Sequence, residues 1–436
     1  MKQVLSRFRD PINATAFTLI GFAMRIWHLG QPKGYIFDEV YYAQNAHSLA
    51  LHGVELQSPT GLAEFIVHPP VGKWLIAIGI KALGFNEFGW RVSSAVFGSL
   101  SIALIYFVAK KLFQSTLISS AAAILTIADG LHLIQSRTAL LDIFLMFFIL
   151  LAFYLLLHSQ HWLAGTSLGL AAGTKWSALY YIVAYFLVTI YLDYRRGQEV
   201  EEPTPLIATL KSKVSKRAVQ YGVVPILIYL LTWSGWFATQ GGWGRHWTKN
   251  IVKSFWHYQA SILHFHTMLV EKHSYSANPW NWLIMGRPTS FFYANPKGCG
   301  VSSCSQEILA LGTPLLWWSG LIAIAITFGY WVARREWQSG LLLLSLGAGY
   351  LPWFFFQKRT MFTFYTIAFE PFLILIICFV IAKAFENAAT RKARERALYC
   401  YLGLVVLCFI YFSPLYFGEL ITYSSWLRHM WLPSWI

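Results

Sequence analysis

The sequence predicts an all-α integral membrane protein: one polytopic domain over residues 1–436, with about eleven transmembrane helices and two large extracytoplasmic loops. Three observations carry this. Of the 436 residues, 56% are hydrophobic and only 12% charged, about half the charged fraction of a soluble domain. Apolar runs of roughly 17–25 residues, enough to cross about 30 Å of hydrocarbon, recur from end to end. The net charge of +15 comes from short basic clusters between those runs. Nucleic-acid binding would favour a single basic tract with interleaved aromatics, whereas this pattern is that of loops obeying the positive-inside rule.

The clusters Lys2/Arg7/Arg9, Lys110/Lys111, Arg195/Arg196 with Lys211 to Arg217, Arg334/Arg335 and Lys383 to Arg396 are assigned to the cytoplasmic side. Threading spans between them gives 12–29, 90–109, 115–133, 139–157, 161–175, 177–193, 218–237, 307–332, 339–356, 361–383 and 397–416, with the N-terminus inside and the C-terminus outside. The first run, Ala14 to Trp27, has no small-residue cleavage site behind it and reads as an uncleaved span. Gly165, Gly169 and Gly173 allow close helix packing in the shortest spans. Two segments are too long for turns, residues 30–89 and 239–306, and long loops in compact proteins tend to be functional. The first contains Val71 to Leu83, suited to an interfacial helix. The second is rich in Trp, His and Tyr, which suits a cap at headgroup level.

The chain has only five aspartates. Asp38 and Glu39 follow the first span among aromatics (Tyr35, Phe37, Tyr41, Tyr42), a setting that raises a carboxyl pKa toward that of a general base. A solvated acidic loop start is the plain alternative. His68 and Lys73, in His68-Pro69-Pro70-Val71-Gly72-Lys73, either face the same site or form a Pro-Pro turn with a snorkelling lysine. Asp142 lies one turn inside an apolar helix, where a charge is costly unless paired. Arg137 is its candidate partner or a phosphate ligand. Lys175, preceded by Gly173 and Thr174, suits an anionic headgroup or snorkels, and Gln357-Lys358-Arg359 puts two more cations at the same membrane edge. The second loop carries His257, His264, His266, Glu271, His273, Tyr275, Trp280 and Arg287. No spacing there forms a clean zinc framework, and no Asp-x-Asp pair is present to hold a divalent ion on a diphosphate. The expectation is therefore no metal and no cofactor, with fixed Lys and Arg stabilising a leaving phosphate. Cys299 and Cys304 share the second loop, an oxidising location, and are expected to form a disulfide across Gly298 to Ser305; two free thiols are the alternative.

Taken in order, several segments resemble the bacterial protein O-mannosyltransferases, integral-membrane glycosyltransferases of the GT-C fold. These are Phe37-Asp38-Glu39-Val40-Tyr41-Tyr42, His68-Pro69-Pro70-Val71-Gly72-Lys73, Phe88-Gly89-Trp90-Arg91, Asp129-Gly130-Leu131-His132, Ser136-Arg137, Leu141-Asp142, Gly173-Thr174-Lys175-Trp176-Ser177 and the Trp256-to-Arg287 loop. The resemblance spans nearly the whole chain. It implies inverting transfer of mannose from a polyprenyl (dolichyl-type) phosphate to Ser or Thr of a secreted or membrane protein, at the outer face of a bacterial plasma membrane. Carried over, Asp38 becomes the base, and Glu39 orients acceptor or base. Lys175, Arg137, Arg91 and Arg359 become candidate ligands of the lipid phosphate, with Asp142 and His68 beside them. His257, His273, Tyr275, Trp280 and Arg287 fall in the loop that implies a protein acceptor. The chain lacks the large sugar-binding-like insertion of the eukaryotic branch.

Two other classes remain open at this point. A sister transferase would move aminoarabinose or another lipid-linked sugar to lipid or glycan. A transporter of lipid-linked sugar would account for the membrane charges, but not for two large loops on one side.

Overall fold

A computed structural model describes residues 2–198, 213–386 and 391–436. Lys211, from one basic cluster, and residues 387–390, within another, lie outside the described residues.

A long or apolar helix stands at each expected span. In chain order these include α1 (Lys2–Ile26), then, after two loop helices α2 (Glu39–His52) and α3 (Val71–Leu83), α4 (Glu87–Phe113). Next come α5 (Thr116–Ile127), the short α6 (Gly130–Gln135), α7 (Asp142–Leu157), α8 (His161–Ala172) and α9 (Ala178–Gln198). They are followed by α10 (Lys213–Thr232) and the loop helix α11 (Ile251–Met268). The last third holds α12 (Pro314–Arg334), α13 (Trp337–Tyr350), α14 (Glu370–Ala384), α15 (Arg391–Phe417) and the short α16 (Tyr423–His429). Among the described residues, five helices are long and apolar enough to cross a membrane: α4, α10, α12, α15 and α13 with its extension to Phe356.

Caps explain several boundaries. Asn86 accepts a hydrogen bond from the Gly89 N–H (2.9 Å) and opens α4. Gln114, in the left-handed region, closes it, and Ser115 caps α5 at once, so the two form a tight hairpin. The expected span 115–133 is broken at Asp129, whose carboxylate caps α6 through the His132 N–H (2.9 Å). The small residues of α8 permit its closest contact: a methyl on Gly165 would sit 1.9 Å from the Gln220 carbonyl oxygen of α10. The ends that carry basic clusters are joined by ion pairs, Lys110–Asp10 (3.0 Å), Arg217–Asp193 (2.7 Å) and Lys383–Glu336 (2.6 Å).

The chain is not wholly helical. Strands β1 (Thr289–Ala294), β2 (Cys304–Ala310) and β3 (Leu420–Thr422) form an antiparallel sheet in the order β1-β2-β3, with a bulge between Ser290 and Phe292. The expected span 307–332 is corrected accordingly: its first residues belong to β2, and α12 begins at Pro314. Cys299 and Cys304 are joined by a disulfide (Cα–Cα 5.9 Å) across the β1–β2 connection. The two long loops pack on one another and on the end of the preceding span through Val54, Ile66, Phe255, Tyr258 and Ile262, with Trp233 and Trp236. A hydrogen bond from the Ile66 N–H to the Tyr258 hydroxyl (3.2 Å) adds to that contact. The Val71 N–H bonds the Gly173 carbonyl (2.9 Å), which seats α3 against the end of α8.

Candidate active site

The loop after α1 reaches Asp38 through three left-handed residues, His28 (φ 49°), Gly34 (φ 80°) and Phe37 (φ 49°). Such a backbone is uncommon for a bulky side chain and must be held by its surroundings. The Phe37 ring is fixed by stacking on Phe291 (4.7 Å) and by edge contacts with Phe364 (5.4 Å), Phe362 (5.9 Å) and His273 (6.4 Å). Asp38 then stands at the N-cap of α2, yet its side chain makes no capping hydrogen bond. Its carboxylate is therefore open for other work. Burial raises its pKa to about 6; Lys175 pulls it down and Asp142 pushes it up, so both charges act on Asp38, which is not itself among the residues lining the cavity described below.

Glu39 points the other way. Both it and Arg91 are 0% exposed. Its oxygens receive Arg91 Nε and Nη2 (2.8 Å each), the Ala139 N–H (2.9 Å), the Ile36 N–H (3.0 Å) and Trp90 Nε1 (3.3 Å). The remaining Arg91 donors go to the carbonyls of Leu29 (3.1 Å), Pro32 (3.0 Å) and Gly34 (3.0 Å). All five guanidinium N–H groups are consumed. Glu39 and Arg91 form a buried clasp that ties the Asp38 loop to α4 and to the start of α7, which leaves Arg91 no donor for a phosphate. Arg137 is not paired with Asp142. Its guanidinium donates to the carbonyls of Arg25 (2.9 Å), Trp27, Met24 and His28, sealing the C-terminal end of α1.

Lys175, Asp142, His68 and Arg359 do converge. They line one cavity of about 1060 Å³ of empty space, counted with its open side, together with His266, Trp353, Tyr365, Tyr180 and Leu179. Lys175 Nζ bonds both oxygens of Asp142 (2.9 and 2.8 Å) and lies 5.1 Å from the Tyr365 ring centre. An ammonium has three N–H donors, so one is left for a ligand. The Arg359 guanidinium lies over Trp353 (5.6 Å) and Tyr365 (6.0 Å). The His68 ring sits 5.0 Å from His266. Burial, reinforced by Lys175 and other nearby cations, holds the His68 pKa well below its ordinary value, so His68 is neutral at pH 7.

The second-loop residues divide. His273 touches Phe37, next to Asp38, and accepts the Tyr275 N–H (3.1 Å). Arg287 lies over Tyr275 (5.0 Å) and bonds the carbonyls of Ser274 (2.9 Å) and Ile436 (2.7 Å), a bracing role. Trp280 is exposed, edge-on to Phe354 (4.4 Å). His257 is stacked on Trp247 (4.1 Å) and does not line the cavity. Among the described residues, no three His, Cys, Asp or Glu side chains converge as a metal site would require. Lys73, offered as a neighbour of the site, is buried and paired with Glu55 instead. Nothing in the sequence singles out Trp353 or Tyr180. His266 was visible only as one histidine of several, and nothing in the spacing separates it from the exposed His264.

Comparison with known proteins bears on the whole chain. Residues 15–239 match the family model described as dolichyl-phosphate-mannose-protein mannosyltransferase. Residues 251–435 match that described as the C-terminal four TMM region of protein-O-mannosyltransferase. A polyprenol-phosphate-mannose–protein mannosyltransferase of Mycobacterium tuberculosis is 32% identical over 99% of this chain and 93% of its own length. One of Corynebacterium glutamicum is 32% identical over 92% of this chain and 88% of its own. The fold is that of the S. cerevisiae protein O-mannosyltransferase Pmt1–Pmt2 complex bound to the sugar donor (TM-score 0.82, 16% identity, 98% of this chain and 93% of that one). It is shared more distantly with ArnT from Cupriavidus metallidurans bound to undecaprenyl phosphate (TM-score 0.59, 13% identity, 94% and 77%).

Proposed function

The chain belongs to the dolichyl-phosphate-mannose–protein mannosyltransferase family, and we propose that it transfers mannose from a polyprenyl phosphate to Ser or Thr hydroxyls of a protein, with inversion at the anomeric carbon. In this reading the site faces the outside of a bacterial plasma membrane and the helices make eleven crossings. Alternating the helices from a cytoplasmic N-terminus supports this, because it puts every basic cluster on the side opposite Asp38.

The observation that carries the mechanism is the uncapped Asp38 carboxylate, within electrostatic reach of the Lys175–Asp142 pair. Asp38 takes the proton of the acceptor hydroxyl as its oxygen attacks the anomeric carbon. The bond from that carbon to the phosphate oxygen breaks, and its electron pair leaves on the lipid phosphate. The third N–H of Lys175 and the guanidinium of Arg359 meet that growing charge, the task a metal ion performs where one is present. Asp142 holds Lys175 in place, and the Glu39–Arg91 clasp holds the Asp38 loop. Trp353, Tyr365 and Tyr180 give the cavity aromatic faces for the sugar and the first prenyl units.

The test is direct. Purified protein is given polyprenyl-phosphate-mannose and a Ser/Thr peptide, and the peptide mass is followed. Gain of one hexose on the peptide supports the reading. Hexose transferred only to a lipid or glycan acceptor would move the chain to the sister class of enzymes.

A further inference from the structure

Arg359 stands on a loop after a short 3₁₀ segment (Leu351–Phe356) and makes no ion pair among the described residues. A long arginine side chain there must lose rotamer freedom before it binds anything. The one hydrogen bond of its guanidinium among the described residues runs from Nη2 to His266 Nδ1 (3.3 Å), and its Nε is buried without a partner. The other ring nitrogen of His266, Nε2, lies 2.7 Å from the Val67 carbonyl oxygen.

These partners fix the tautomer. A carbonyl only accepts, so Nε2 carries the proton; a guanidinium only donates, so Nδ1 is bare. Burial first, then the charges of Arg359 and Lys175, lower the His266 pKa to about 4, and the ring stays neutral at pH 7. The backbone on either side is tied down. The Thr360 N–H bonds the Leu269 carbonyl (3.0 Å) and the Ala277 N–H bonds the Met361 carbonyl (2.8 Å), so the Arg359 segment runs beside the chain that follows α11. His266 thus connects the residue before His68 in the first loop, the helix of the second loop and the cation of a third segment.

We propose that His266 is a positioning residue that aims the Arg359 guanidinium into the cavity, toward the donor's phosphate, by accepting from Nη2 while anchored on Val67. This rests on the reading that Arg359 contacts the lipid phosphate. His266 itself touches neither the sugar nor the acceptor in this role; it acts through Arg359, so its loss weakens donor binding and slows the saturated rate only as far as loss of Arg359 does.

The experiment uses the full chain in lipid nanodiscs, with kinetics in polyprenyl-phosphate-mannose and a Ser/Thr peptide. His266→Ala raises the donor KM by about tenfold or more, the scale of a hydrogen bond to a charged group, and lowers kcat no further than Arg359→Gln does. His266→Gln, whose amide can both accept and donate, recovers most of the loss. In the Arg359→Gln background, His266→Ala adds nothing further. If the alanine variant does not fold, His266→Met, apolar and of similar bulk, takes its place. An unchanged donor KM, a fall in kcat alone, or additive effects of the two substitutions would overturn the proposal while leaving the Arg359 reading intact. An Arg359→Gln protein with normal donor KM would sink the phosphate reading itself and this proposal with it.

Discussion

Replacing Arg91 by methionine separates a structural clasp from a phosphate ligand. The guanidinium makes five hydrogen bonds, two to Glu39 and three to carbonyls of the Asp38 loop. Both members of the ion pair are fully buried. Removing the arginine leaves the Glu39 carboxylate enclosed with three neutral donors and no counter-charge, and breaking a buried pair in this way costs about 3–5 kcal/mol. Lysine cannot supply the fork, having three donors on a single nitrogen, so Arg91→Lys retains charge yet loses most of the geometry. Thermal unfolding of the detergent-purified protein, followed by tryptophan fluorescence, should show a large drop in midpoint for both variants. Donor affinity measured on the folded fraction should be unchanged. An Arg91→Lys protein with the parent's unfolding midpoint and weakened donor binding would refute the reasoning, since it would mean that Arg91 has donors to spare for the phosphate.

Other outcomes follow from the same geometry. Asp38 must be ionised to accept a proton, and its pKa is raised to about 6. Hence kcat/KM should fall about tenfold per unit below that pH and level off above it. Asp142→Asn removes a negative neighbour, which lowers the Asp38 pKa and should shift this acid limb to lower pH; a limb that stays or moves upward contradicts the assignment. Transfer should persist in chelator, because Lys175 and Arg359 supply the positive charge; loss that added divalent ion restores would contradict this. Cysteine placed at Trp280 should react with an impermeant reagent in intact cells, and cysteine placed at Arg335 only after permeabilisation; the reverse pattern would invert the topology.

The helical layout was legible because long apolar runs with basic punctuation leave few alternatives. Where the expectation failed, the run was short or interrupted. Ile308 to Ala310 is apolar and leads on toward the following helix, so periodicity alone could not show that it is part of a strand paired with Thr289 to Phe292. Asp129 looked like a residue inside a span until its cap on α6 was seen. The cations were harder. Arg91, Arg137, Lys175 and Arg359 all sit near one membrane edge and all suit a phosphate, but only partner geometry tells an arginine whose donors are spent on carbonyls from one that is free. The Lys175–Asp142 pair joins residues 33 positions apart through tertiary packing of α7 against the end of α8, which no local pattern announces. His266 illustrates the same limit, since its role depends on a carbonyl 199 residues away.

The most direct measurement of the central claim is turnover per folded, donor-binding molecule of Asp38→Asn. The carboxylate makes no capping hydrogen bond, so the variant should fold, and the cations proposed to hold the phosphate are untouched. General-base assistance is typically worth about 10²–10⁴-fold, so turnover should fall by at least that order while polyprenyl-phosphate-mannose still binds. Near-normal turnover from correctly folded, donor-binding Asp38→Asn protein would show that Asp38 is not the base.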